Sequence, residues 1–130
     1  KTDIKAQFPR LEQFLQSEER LSVDQQWLER VEKIIFQQAG NPDFGSGNLA
    51  EELTLSSRQL RRKLKQLTGM TPTDYLREVR LQKARRILES NSCATVAEAC
   101  FAVGLSDQKH FAKIFRQRFG KNPSDYLGEN

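Results

Sequence analysis

Hydrophobic residues recur three and four positions apart along almost the whole chain, the spacing that gathers them on one face of an α-helix. Trp27, Leu28, Val31, Ile34 and Ile35 follow this rule and predict a helix from about Asp24 to Gln38. Ser22 or Asp24 could cap it, and Ala39-Gly40-Asn41-Pro42 stops it. Ahead of it, Phe8, Leu11, Phe14 and Leu15 predict a shorter helical arm, closed by the polar stretch Ser17–Arg20. No run of β-branched residues alternates long enough to make a strand. The expected class is all-α.

From Gly45 the punctuation becomes regular. Ser46-Gly47-Asn48 offers a cap, and Leu49, Ala50 and Leu53 form a short apolar face. Ser56 or Ser57 then caps a helix with Leu60, Leu64 and Leu67 inward, ending at Thr68-Gly69. Pro72 opens a long helix that runs through Tyr75, Leu76, Val79, Leu81, Ala84, Ile87 and Leu88 to about Ser90. A short helix from about Val96 to Val103 leads to Gly104 and a cap at Ser106 or Asp107. The next helix buries Phe111, Ile114, Phe115 and Phe119 and stops at Gly120, with a final short turn from Pro123 around Tyr126.

Two of these stretches are one unit written twice. LAEELTLSSRQLRRKL at 49–64 and ACFAVGLSDQKHFAKIF at 99–115 both read as short helix, tight turn, serine and second helix, with one extra residue in the second turn. Short helix, tight turn and longer helix is the helix-turn-helix, whose second helix enters the major groove of DNA. The expected boundaries are an arm at 1–22 and a domain at 23–127. Within the domain the first helix-turn-helix occupies about 46–68, the linker helix about 72–90 and the second helix-turn-helix about 95–120.

The two second helices divide by face. At about 100° per residue, Leu64 and Leu67 fall near Leu60, while Arg58, Arg61, Arg62 and Lys65 fall on the opposite side. Measured from Phe111, Phe115 and Arg118 lie near the core side, and Lys109, Ala112, Lys113 and Arg116 lie opposite. RQLRRKLK at 58–65 has five basic residues and no acid, whereas an ordinary solvated face would carry mixed charge.

Charge sharpens the division. Over the 130 residues the formal net charge is +4. Residues 1–56 carry six basic side chains against ten acidic ones, and residues 57–130 carry fifteen against seven, giving −4 and +8. The second part therefore suits a polyanion. At 37% hydrophobic and 29% charged, the chain suits a folded domain rather than a disordered one. No apolar run reaches the roughly 18 residues of a membrane span, and none reads as a signal peptide.

Enzyme readings find no support. There is one histidine, His110, and no HExxH, GxSxG, GxxxxGK or GxGxxG string. Cys93 and Cys100 form neither a disulfide framework nor a metal pattern, so the expectations are a reducing, cytoplasmic compartment, no metal and no cofactor. Cys100 fits a small buried slot, and Cys93 has no basic neighbour to activate it. The chain begins at Lys1 without Met, which suggests a piece of something longer.

NLAEELTLSSRQLRRKLKQLTGMTPTDYLREVRLQKARRIL at 48–88 resembles the first helix-turn-helix and linker of the C-terminal domain of AraC-type transcription regulators. GLSDQKHFAKIFRQRFGKNPSDY at 104–126 resembles that family's signature second unit, ending in G-x-x-P-x-x-Y. The stretch from Asp24 to Phe44 looks like the helix preceding this domain in response-regulator and hybrid two-component members.

The resemblance implies two recognition helices in successive major grooves, about 34 Å apart, with the linker helix fixing their separation. It assigns base contacts to Ser57, Arg58, Arg61 and Arg62 in the first helix. In the second it assigns them to Gln108, Lys109, His110, Ala112 and Lys113. Arg and Lys suit guanine O6 and N7, Gln suits adenine, and the Ala112 methyl suits thymine. His110 suits a phosphate equally well. Phosphate contacts fall to Lys65, Arg116 and the helix N-termini near Ser56 and Asp107.

Expected partners are promoter DNA with direct-repeat sites, RNA polymerase, and sensor or receiver domains outside this chain, through which the protein would form a homodimer. A basic helical module for a protein or RNA partner is the alternative. One departure stands out: Thr54 occupies a turn position where many relatives have glycine. A β-branched residue is strained at positive φ, so this turn is expected to take a different geometry and tilt the first reader.

Overall fold

The computed structural model describes the backbone of residues 9–127 and the side chains of residues 22–127. Among these residues all regular structure is helical: α1 Pro9–Gln38, α2 Ser46–Glu52, α3 Ser57–Thr68, α4 Pro72–Glu89, α5 Val96–Ala102, α6 Gln108–Phe119 and a 3-10 turn Pro123–Tyr126. By internal contacts the chain divides after Val31. The leading run of α1 belongs to the first unit, and every later element belongs to the second.

α1 departs from the sequence expectation. It runs unbroken through Ser17–Arg20, where the apolar pattern placed an end. That stretch contains no glycine or proline, and Glu and Arg are good helix formers. Polarity interrupts the apolar face without interrupting the backbone, so the helix continues to the breakers after Gln38. Phe8 and the residues before it lie outside the described ones.

The other helices begin and end where capping chemistry allows. Ser56 accepts from the Gln59 amide at 3.1 Å, while the Ser56 amide donates to Gln59 Oε1 at 2.9 Å. The side chains of Thr71, Thr95 and Asp107 likewise accept from the Asp74, Glu98 and His110 amides and cap α4, α5 and α6. Pro72 takes the first turn of α4, where a missing N–H leaves no helical bond unmade. For α2 the cap is Gly45, whose amide donates to Asn48 Oδ1 at 3.0 Å.

The internal repeat is longer than the sequence reading placed it. Thr54 and Gly104 are 50 positions apart, and Ser56 and Asp107 are 51 apart because of the extra turn residue. The 51 offset then carries Gly69-Met70-Thr71-Pro72-Thr73-Asp74-Tyr75-Leu76 onto Gly120-Lys121-Asn122-Pro123-Ser124-Asp125-Tyr126-Leu127. In the first copy this segment launches α4; in the second it forms the 3-10 turn.

Both helix-turn-helix turns take one geometry, against the expectation for Thr54. Thr54 sits at φ 57° and Gly104 at φ 76°. The Leu55 amide donates to the Ala50 carbonyl at 2.9 Å, and the Leu105 amide donates to the Cys100 carbonyl at 3.0 Å. Thr54 has accepted the left-handed conformation because the flanking helices dictate the turn, at a cost of about 1–2 kcal/mol. Part of that cost is offset by the greater unfolded-state freedom of glycine. Thr54→Gly is therefore expected to stabilise the domain by about 1 kcal/mol, raising Tm by about 4 °C. A lower Tm in thermal denaturation would show that the exposed threonine side chain contributes more than its backbone costs.

Leu81, Ala84 and Leu88 of α4 pack with Ala99, Cys100, Val103, Phe111 and Phe115 in the core of the second helix-turn-helix. Phe115 is its aromatic centre. Its ring lies 5.6 Å from Phe111, 4.7 Å from Phe119 and 5.8 Å from Tyr126. α4 thus supplies part of this core while also contacting α2 and α3.

Candidate nucleic-acid interface

In α3, Leu60 and Leu64 are fully buried, and Ser57, Arg58, Arg61, Arg62 and Lys65 are exposed. In α6, Phe111 and Phe115 are fully buried, and Gln108, Lys109, His110, Lys113 and Arg116 are exposed. Ala112 is half-buried, so only part of its methyl faces outward. Each second helix thus has an apolar inner face and a cationic outer one. The burial follows from the spacing of the apolar residues, and the exposed cations follow from what lies between them.

Three of the phosphate candidates already have partners. The Lys65 ammonium donates to the Gly69 carbonyl at 3.0 Å, drawing it towards the C-terminal end of α3. Ser56 is committed to the reciprocal cap with Gln59. Asp107 Oδ1 accepts from the His110 amide at 3.1 Å. The capping groups themselves are thus occupied, and the anion-binding capacity at these ends lies in the first-turn amides of Ser57, Arg58, Gln108 and Lys109. The Asp107 carboxylate opposes a phosphate there, so α3 has the better electrostatics at its start.

Other cations, which the sequence reading credited to the basic excess, work inside the fold. The Arg80 guanidinium donates to the Asn41 and Phe44 carbonyls, each at 2.9 Å, and ties the α1–α2 loop to α4. Burial pulls its pKa down from the usual arginine range. Lys83 donates to the Phe36 carbonyl at 2.8 Å and lies 4.7 Å from the Phe36 ring centre. Arg118 Nε donates to both carboxylate oxygens of Glu78, at 2.6 and 2.9 Å. Only the Arg118 role left a signal in sequence, since the helical wheel put this residue near the core side. The net +8 therefore overstates the charge available to a polyanion.

The remaining reactive groups are quiet. Cys100 is buried and its Sγ donates to the Leu105 carbonyl at 2.8 Å. Burial raises both thiol pKa values, with Glu98 adding to the effect at Cys93 and Asp107 at Cys100. Among the described residues, no three His, Cys, Asp or Glu side chains converge as a metal site would require. No described helix is long and apolar enough to cross a membrane.

A family described as a helix-turn-helix domain matches residues 49–129. The chain is 32% identical over 124 residues to Histidine kinase P4 of Formosa agariphila, covering 95% of this chain and 9% of that protein. It is 46% identical over 77 residues to the HTH-type transcriptional activator RhaS of Escherichia coli, covering 59% of this chain and 27% of that protein. Among solved structures, it is similar to the DNA-binding domain of AdpA, a global transcriptional factor, in complex with a target DNA. The identity is 27% and the TM-score 0.67, over 78% of this chain and 89% of that one. The chain therefore spans a small part of the curated relatives it matches.

Two capped, outward-cationic helices on a shared linker define a double helix-turn-helix, the DNA-binding output domain of a transcription regulator. The chain belongs to the AraC-type helix-turn-helix family.

Proposed function

We propose that the chain reads tandem half-sites on promoter DNA, with α3 and α6 in successive major grooves and residues 23–127 as the reading domain. The observation that carries this is the repeated division of each helix: leucines or phenylalanines sealed inward, cations outward, with a capped N-terminus beside them. Ser57, Arg58, Arg61 and Arg62 contact bases from α3. Gln108, Lys109, His110, Ala112 and Lys113 do so from α6. Lys65, Arg116 and the amides beside Ser56 and Asp107 hold phosphates. The likeness to the AdpA domain, solved in complex with a target DNA, supports DNA as the partner here.

The parent protein is a cytoplasmic regulator whose switch lies in further domains, and the likeness to a much longer histidine kinase favours phosphorelay over small-molecule sensing. Dimerisation belongs to those domains, and RNA polymerase is the partner at the promoter. The reading domain itself needs no cofactor and does no catalysis.

Arg62→Ala and Lys113→Ala test the base contacts. Each is expected to cost about 1–3 kcal/mol on a selected duplex and much less on random duplex, relaxing sequence choice at one position. Titration of both duplexes by fluorescence anisotropy measures this. Equal losses on selected and random DNA for both variants would sink the base-reading assignment.

A further inference from the structure

We propose that Glu78 is a positioning residue for the second reader, and that its bridge to Arg118 sets the half-site spacing the protein accepts. This rests on the two-groove reading and deepens it. α4 and α6 do not close against each other along their length. A cleft of about 360 Å³ lies between them, with Met70, Leu81 and Ile114 in its apolar lining. Glu78 and Arg118 also line it, and their bridge spans it.

The anchor is built from both sides. Gln82, one turn further along α4, donates to Glu78 Oε1 at 3.0 Å and holds the carboxylate from its own helix. Arg118 lies 5.0 Å from the Phe119 ring centre, and Arg85 of α4 lies 5.0 Å from the same ring. These ties grip the C-terminal end of α6. The candidate reading residues lie at the other end, with Gln108 about 15 Å away at 1.5 Å per residue. With Phe115 seated in the core as the pivot, a tilt of about 10° moves Gln108, about 10.5 Å along the axis, by about 1.8 Å, about half the 3.4 Å step between base pairs. Small changes at Glu78 are thus amplified into a change of register on DNA.

Burial separates this role from a general contribution to stability. The Arg118 side chain is 48% exposed and that of Glu78 18%. Ion pairs with so exposed a partner add little to stability. The value of this one is orientation.

The test begins by selecting duplexes from a random library with this chain, then inserting or deleting one base pair between the selected half-sites. Wild type is expected to lose about tenfold in affinity on the respaced duplexes, and Glu78→Gln only about threefold, with Tm within about 2 °C of wild type. The exchanged pair, Glu78→Arg with Arg118→Glu, is expected to restore the spacing preference. If Glu78→Gln binds every duplex more weakly but keeps the wild-type spacing ratio, the residue is merely structural and the proposal is overturned. Unchanged binding in every respect overturns it equally. A selection that returns single half-sites only would overturn the two-groove reading as well, which keeps the two failures apart.

Discussion

A fourfold rise in salt is expected to weaken binding to random duplex by roughly two hundredfold. Seven candidate cations lie exposed on the two outer faces: Arg58, Arg61, Arg62 and Lys65 on α3, and Lys109, Lys113 and Arg116 on α6. If about four of them neutralise phosphates, counterion release gives a slope near −4 for log affinity against log salt. Arg80 and Lys83 lie partly buried against backbone carbonyls of the fold and Arg118 is paired with Glu78, so these three are expected to add little. Removing Lys65 or Arg116 should therefore lower the slope by about 1 each, whereas Arg85→Gln should leave it unchanged, since Arg85 is paired with Glu89 at 2.6 Å. Anisotropy titrations across a salt series measure all of these. A flat affinity would remove groove docking as the mode of binding.

Gly104→Ala is expected to be the most destabilising of the single-methyl changes, for two independent reasons. Its φ of 76° is a conformation that any side chain resists, at about 1–2 kcal/mol. In addition, a Cβ there would run into the Ala39 carbonyl oxygen and come within 3.3 Å of the Pro42 backbone. Both obstacles are backbone, so neither can rotate aside. Overpacking of this kind adds about 1–3 kcal/mol, and the sum of about 3 kcal/mol lowers Tm by about 12 °C.

Gly120→Ala supplies the control. Its φ is 78°, but no atom lies within 4 Å of the added methyl. It should lose only the conformational part, about 1 kcal/mol or about 4 °C. Equal losses in the two variants would show that the α1–α2 loop yields to the methyl and that close packing at Gly104 is not required. The larger loss would mark Gly104 as the point where the second helix-turn-helix seats against that loop.

The helices, their order, the doubled unit and the two cationic faces were legible in the amino-acid sequence because all of them are local. Leu60 and Leu64, or Phe111 and Phe115, declare an inner face by their spacing alone. Ser56, Pro72 and Asp107 declare helix starts by their chemistry. Residues a turn apart meet in any helix, whatever surrounds it.

Thr54 shows where local rules stop. Its propensity argued for another turn, and the packing of α2 and α3 overrode it. Ser17–Arg20 shows the reverse error, since an apolar pattern can lapse while the helix goes on.

By itself the sequence determined an all-α double helix-turn-helix and the residue types on each reading face, because periodicity and capping act over a few residues. Only the tertiary structure decided which cations remain for DNA and what fixes the second reader. Glu78 meets Arg118 across 40 positions, and Arg80 reaches back 39 to the Asn41 carbonyl. A charge is spent or free according to what folding brings beside it, and no spacing along the chain records that.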